Sequence, residues 1–125
     1  MNNTDNDSSQ RDTFSDNYEP LSDGDNNGVR AFVSKQNPGH RYAIEFGGMR
    51  HMVSFQDGPV GQYGFNGFTS EALLEILIDR TNYLNEQFPC EENTIALGHL
   101  EEALESFNQR TQNRIARGVE GENKP

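Results

Sequence analysis

The sequence predicts an α+β fold: a small N-terminal antiparallel β-sheet followed by a long antiparallel two-helix hairpin that oligomerises. Three observations lead there. Residues 29–66 alternate apolar and polar side chains between turn dipeptides, as half-buried strands do. Residues 69–117 read as two helices broken at Phe88-Pro89-Cys90, the first apolar over more than one face and the second with apolar side chains spaced by three and four. A helical hairpin beside a small sheet is also thin. It has little depth in which to bury so many aliphatics, so hairpins are expected to pack against each other between chains.

The elements follow in chain order. Residues 1–28 are rich in Asn, Asp and Ser, with Phe14, Tyr18 and Leu21 as their large apolar groups. Such a segment buries too little to offset its ordering entropy, so it reads as a disordered acidic tail. The single domain then spans 29–121, divided into a β-region (29–66) and a helical hairpin (69–117), with 122–125 as a short tail. In the β-region, VRAFVSK is rich in β-branched and aromatic residues. In HRYAIEF, Tyr42, Ile44 and Phe46 fall on one face and Arg41, Ala43 and Glu45 on the other. Gly47-Gly48 suits a two-residue hairpin turn, because both positions need positive φ. Met49 to Phe55 form the return strand, and QYGFNG is read as a last short strand, for three or four in all. Thr69 is placed to cap the first helix, with Glu71 in its first turn. Pro89 suits the start of the second helix, which is expected from about Cys90 to Arg117, with Gly118 just past its end. Leu97, Leu100, Leu104, Phe107, Thr111 and Ile115 form its seam.

Charge narrows the function. The chain has 125 residues and a formal charge of −10, and 32% of its residues are hydrophobic. Seven Asp/Glu against one Arg put −6 of that charge in residues 1–28, leaving −4 for the rest. A polymeric nucleic acid needs a broad basic footprint, so it is not expected as a partner. A small anion needs only a local cluster. The single cysteine, Cys90, fits a reducing compartment. MNNTDNDSSQ has neither the basic nor the apolar region of a secretory leader, and no apolar run reaches the length of a membrane span. A soluble, cytoplasmic protein, away from membranes, is expected.

Catalysis finds little support. No nucleophile elbow is present, and His40, His51 and His99 lack metal-ligand spacing. No catalytic residue, metal or cofactor is assigned. Arg110, Arg114 and Arg117 lie at i, i+4 and i+7 on one helix face. Two readings stay open for them: cations offsetting the negative end of the helix dipole, or a phosphate site that uses bidentate guanidinium forks. Phe88, at the hairpin tip, is either a hydrophobic staple or a platform for a base. Phe88 and Arg114 are 26 residues apart, roughly 39 Å along a helix. They cannot share a pocket within one chain, but an antiparallel neighbour would bring one chain's arginines to the other's Phe88.

FPCEEN, LEEALESF and RIARGVEG belong to a stretch that resembles the helical hairpin shared by two groups of phage anti-defence proteins. These are the anti-Thoeris sponge family (first type) and the anti-CBASS cyclic-oligonucleotide sponge family. YAIEFGGMRHMVSFQDGPVG is similar to the β-region of the anti-Thoeris group. The resemblance covers about residues 40–121. It implies a non-enzymatic protein that sequesters cyclic ADP-ribose isomers made by TIR enzymes, with cyclic dinucleotides and trinucleotides at separate sites in some members. It also implies homodimers that assemble into homohexamers. By resemblance, Phe88 and Arg114 clasp the base. Arg110 and Arg117 are added for the diphosphate, Asn93 for an adenine edge or ribose hydroxyl, and Arg50 and Met52 as pocket walls. One rival is an enzyme that cleaves the signal, with Glu120 and His51 as its loose acid–base candidates. The other is an inhibitor acting through the acidic tail.

Overall fold

The computed structural model describes residues 13–119 and residue 122. The chain divides into two compact units, residues 1–55 and 56–125.

The first unit is a four-stranded antiparallel meander in the order β1-β2-β3-β4. Its strands are β1 (Tyr18–Pro20), β2 (Arg30–Ser34), β3 (Arg41–Phe46) and β4 (Met49–Ser54). Gly47 and Gly48 have φ of 56° and 77° and join β3 to β4 with Phe46 opposite Met49. This is the expected glycine turn, whose twist matches that of the strands. A second turn of the same kind joins β1 to β2. Asn27 and Gly28 have φ of 56° and 88°, and Asn26 and Val29 exchange backbone hydrogen bonds of 2.9 and 3.1 Å across them.

The reading of 1–28 as a disordered tail is therefore corrected over its second half, while residues 1–12 lie outside the described region. Residues 13–17 are helical and β1 pairs with β2, Tyr18 opposite Ser34. Aromatic packing supplies the missing enthalpy. The Phe14 ring stacks on Tyr18 at 4.6 Å and meets Phe32 edge-on at 5.5 Å. Asn17 ties the segment to the end of β2, its carbonyl accepting from the Lys35 N–H at 2.8 Å and its side chain from Gln36 at 2.9 Å. Phe14 and Tyr18 suffice because they pack onto a sheet that already exists, while Leu21 stays exposed.

The buried face of the sheet is the one carrying the small residue. Ala43 is fully covered and Phe32, its partner on β2, is buried, whereas Phe46 is exposed. Pairing in register puts Phe32, Ala43 and Met52 in one row, and Arg30, Glu45 and Arg50 in the next.

In the second unit, QYGFNG gives no strand. Val60–Tyr63 form a one-turn helix, α1, with Pro59 at its N-cap, and Gly64 ends it at φ 72°. Pro59 sets the helical entry, and its carbonyl accepts from the amides of Gln62 and Tyr63 at 3.1 and 2.9 Å. Gln56 and Asn66 then knit the loop. The Gln56 side chain donates to the Gly64 carbonyl at 2.8 Å, and the Asn66 side chain donates to the Asp57 carbonyl at 2.8 Å.

The helical hairpin is as expected: α2 (Ser70–Gln87) and α3 (Glu91–Ala116) pack against each other. Thr69 caps α2, its hydroxyl accepting from the Ala72 N–H at 3.2 Å. Cys90 is the N-cap of α3 and Pro89 lies one residue outside it. At the other end Arg117 is the C-cap and Gly118 follows at φ 73°. Val119 N–H donates to the Arg114 carbonyl and Gly118 N–H to that of Ile115, both at 3.0 Å, which makes a Schellman turn.

The two helices differ in length, 18 residues against 26. With the tip as common origin, α3 outruns α2 by roughly 12 Å at 1.5 Å per residue. The seam follows this. Leu97, Leu100 and Leu104 are half-buried where α2 lies alongside, but Phe107 and Ile115 are 42% and 54% exposed. No hydrophobic side chain of either helix is buried, and Ile76, Leu77, Tyr83 and Ile95 are exposed as well. Among the described residues no helix is long and apolar enough to cross a membrane.

Candidate functional site

The overhanging end of α3 carries a groove of about 640 Å³ lined by Ser106, Gln109, Arg110, Asn113, Arg114 and Arg117. Their spacing of three and one follows the helix, so one face carries three arginines with three polar residues among them. All lining residues come from α3 and its C-cap, Arg117. The groove thus has one wall and is open on the side away from the helix.

The three arginines are not equivalent. Arg110 is exposed, and among the described residues its side chain has no hydrogen-bond or ion-pair partner. Arg117 is exposed at the C-cap. Arg114 is buried, 6% exposed, and one of its terminal nitrogens donates to the carbonyls of Val119 at 2.9 Å and Glu122 at 2.7 Å. A cation at a helix C-terminus thereby also satisfies carbonyls of the chain that leaves it. Glu122 N–H donates to the Val119 carbonyl at 3.0 Å, so Val119 and Glu122 are bonded to each other as well as to Arg114.

Phe88 and Asn93 lie at the other end of α3, at the hairpin tip. Phe88 is the C-cap residue of α2, its N–H bonded to the Leu84 carbonyl at 2.9 Å, and its ring is 79% exposed. The tip is held without that ring. Asn85 accepts from the Cys90 N–H at 3.1 Å and donates to the Thr94 hydroxyl at 3.2 Å. Phe88 therefore does not serve as the staple of the turn. Asn93 gives its N–H to the Cys90 sulfur at 3.4 Å, and its carboxamide makes no hydrogen bond among the described residues. The structure thus brings Arg110, Arg114 and Arg117 together, and Phe88 with Asn93, but not the two groups with each other.

Arg50 and Met52 belong to the sheet unit, both on the face that carries Ala43. Met52 is 50% exposed. Arg50 pairs with Glu45, its Nε–H donating to the carboxylate at 2.8 Å, and its guanidinium lies 3.5 Å from the centre of the Phe14 ring. Of the rival acid–base pair, His51 stacks on Phe46 at 4.8 Å, while Glu120 lies outside the described residues.

Sequence reasoning passed over Asn85, Gln109 and Asn113. Gln109 and Asn113 share the three-and-four spacing of the arginines, so that signal was available. Asn85 carries none, because its role depends on where Cys90 and Thr94 fold.

An open, one-walled arginine face thus lies at one end of α3, and an exposed aromatic at the other. The chain belongs to the Acb2/Tad1 hairpin domain family, whose model matches residues 50–112. It is similar to "Thoeris anti-defense 1" of Bacillus phage SBSphiJ7, with 46% identity over 78 residues. That alignment covers 62% of this chain and 55% of the relative, so the chain spans little more than half the length of that protein.

Proposed function

We propose that this chain is a phage anti-defence protein that binds and sequesters immune signalling nucleotides without cleaving them. The ligands are cyclic ADP-ribose isomers made by TIR enzymes, with cyclic dinucleotides and trinucleotides as further ligands at separate sites. Support comes first from the family and from the relative named for action against Thoeris defence. The observation that carries the chemistry is the groove on the α3 overhang, where the unpartnered Arg110 stands beside Arg114 and Arg117. Guanidinium forks bind phosphate oxygens, and the exposed Phe88 offers a face for a base.

A second copy of the chain completes this pocket. The groove has one wall, Phe88 is roughly 39 Å away along α3, and both helices leave aliphatics exposed. An antiparallel neighbour would cover the aliphatics and carry its Phe88 and Asn93 to the groove. Homodimers that build homohexamers fit this arrangement, with the host cytoplasm as the place of action. Sequestration needs affinity below the signalling concentration and enough sites, and no reacting group.

Calorimetric titration with a TIR-made cyclic ADP-ribose isomer tests the proposal, followed by heat release and chromatography of the ligand. Tight binding with intact ligand is expected. Altered ligand would mean an enzyme, and absence of binding would overturn the reading.

A further inference from the structure

One face of α2 has no cover among the described residues. Ala72, Ile76, Asp79 and Tyr83 are spaced by four, three and four, so they form one stripe along the helix. With Glu75 and Arg80 they line a groove of about 790 Å³. The half-buried Leu73, Leu74, Ile78 and Leu84 lie on the other side of the helix. Ile76 is 63% exposed and Tyr83 59%. A helix with apolar side chains on both sides needs a second cover. Asp79 and Arg80 stand in the middle of this face, and among the described residues neither side chain makes a hydrogen bond or ion pair.

The order of these residues is self-complementary. In a twofold contact, whatever one copy offers the other also offers, in reverse order along the helix. Setting Asp79 opposite the partner's Arg80 also sets Arg80 opposite the partner's Asp79. The same register sets Ile76 opposite the partner's Tyr83, and Tyr83 opposite the partner's Ile76. Acid meets base and apolar meets apolar at each of these positions. Sliding the partner by four residues would pair Glu75 with the partner's Arg80, but would bury Asp79 against the partner's Ile76 without a counter-charge.

We propose that this face of α2 docks on the same face of a second copy, antiparallel about a twofold axis between Asp79 and Arg80, and that these two residues fix the register. This rests on the reading above, that a second copy completes the nucleotide pocket, and it names the surface and the register of that contact. A polar pair within an apolar helix seam sets alignment in the same way in coiled coils. The register has an axial consequence. It sets the partner's Phe88 opposite Glu71, in the first turn of α2. Counted from the hairpin tip, α3 passes that level near Phe107, within roughly 5 Å along the axis of Arg110 at 1.5 Å per residue. The charge pairs thus select the axial level that a shared pocket calls for.

Sedimentation of the full chain over a range of concentrations tests this. The samples are wild type, Asp79→Arg, Arg80→Asp, the double variant, and an equimolar mixture of the two single variants, with a melting curve for each. Each single variant sets like charges against each other twice, and its self-association should weaken at least about tenfold. In the double variant and in the mixture opposite charges meet again, so wild-type association should return. Single variants that associate as tightly as wild type would overturn this face as the contact and leave the second-copy reading standing. Weakened variants that the mixture fails to rescue would overturn the register. Should a single variant fail to fold, Ile76→Lys decides in its place: it should weaken association at least about tenfold, and wild-type association would overturn the proposal. A wild-type chain that stays monomeric at every concentration would overturn the second-copy reading, and this proposal with it.

Discussion

Replacing Arg114 by methionine removes a guanidinium while keeping most of its aliphatic stem. Two charge-assisted hydrogen bonds disappear, to the carbonyls of Val119 at 2.9 Å and Glu122 at 2.7 Å. Each such bond is worth about 1.5–3 kcal/mol when buried. The low end applies here, because Glu122 is exposed and its carbonyl regains water. Loss of a cation from the last turn adds about 0.3–1 kcal/mol, and the released segment recovers conformational freedom that offsets part of the total. The expected destabilisation is about 2 kcal/mol, read from the urea midpoint at constant slope. Amide exchange then locates the change. The Val119 N–H bonds to the backbone carbonyl of Arg114 and keeps its protection, while the Glu122 N–H bonds to the Val119 carbonyl and should exchange freely. Arg114→Lys keeps the charge without the fork and should fall between wild type and Arg114→Met. An unchanged midpoint with Glu122 still protected would refute the idea that the guanidinium holds the chain end.

Three further substitutions test separate parts of the chain. Thr69→Ala removes the cap hydroxyl bonded to Ala72 and should cost about 1 kcal/mol in a urea titration. Gly48→Ala places a Cβ at φ 77° in otherwise open space, so its cost is purely conformational, about 1–2 kcal/mol by the same assay. Phe88→Ala should leave the melting curve nearly unchanged, within about 0.5 kcal/mol, because the ring is 79% exposed. The same variant should lose about 1–3 kcal/mol of nucleotide affinity by calorimetry if a base stacks there.

The helical hairpin was legible because its ends are written in local chemistry. Thr69 caps, Cys90 follows a proline, and Gly118 takes a conformation that other residues resist. Gly47-Gly48 announced its turn in the same way. Asn27-Gly28 carried an equally strong hairpin signal, but it stood in a run of Asp and Asn that read as tail. The rest depends on tertiary context. Whether VGQY is helix or strand turns on Pro59 and on Tyr63, whose ring lies where a Cβ at Gly58 would fall, 2.5 Å from it. Alternation in β3 showed two faces without saying which is buried. The answer is the face of the small Ala43, since Phe14 and Phe32 bring the bulk. For the site, spacing placed the three arginines on one face of a helix. It could not show that the middle one turns to the chain's own carbonyls, because those carbonyls come from a segment that folds back.

Ala43 has a bearing on how this sheet can drift over evolutionary time. It is fully covered and stands in register between Phe32 and Met52. A larger side chain there would have to displace its cross-strand neighbours or lift the Phe14 segment, and overpacking of this kind costs about 1–3 kcal/mol. Substitution at position 43 is therefore narrowed to Gly, Ala and Ser unless Phe32 shrinks in step. The exposed Met49 on β4, by contrast, is under no such limit. Position 43 is thus a point where the volume of one side chain sets what its neighbours may become.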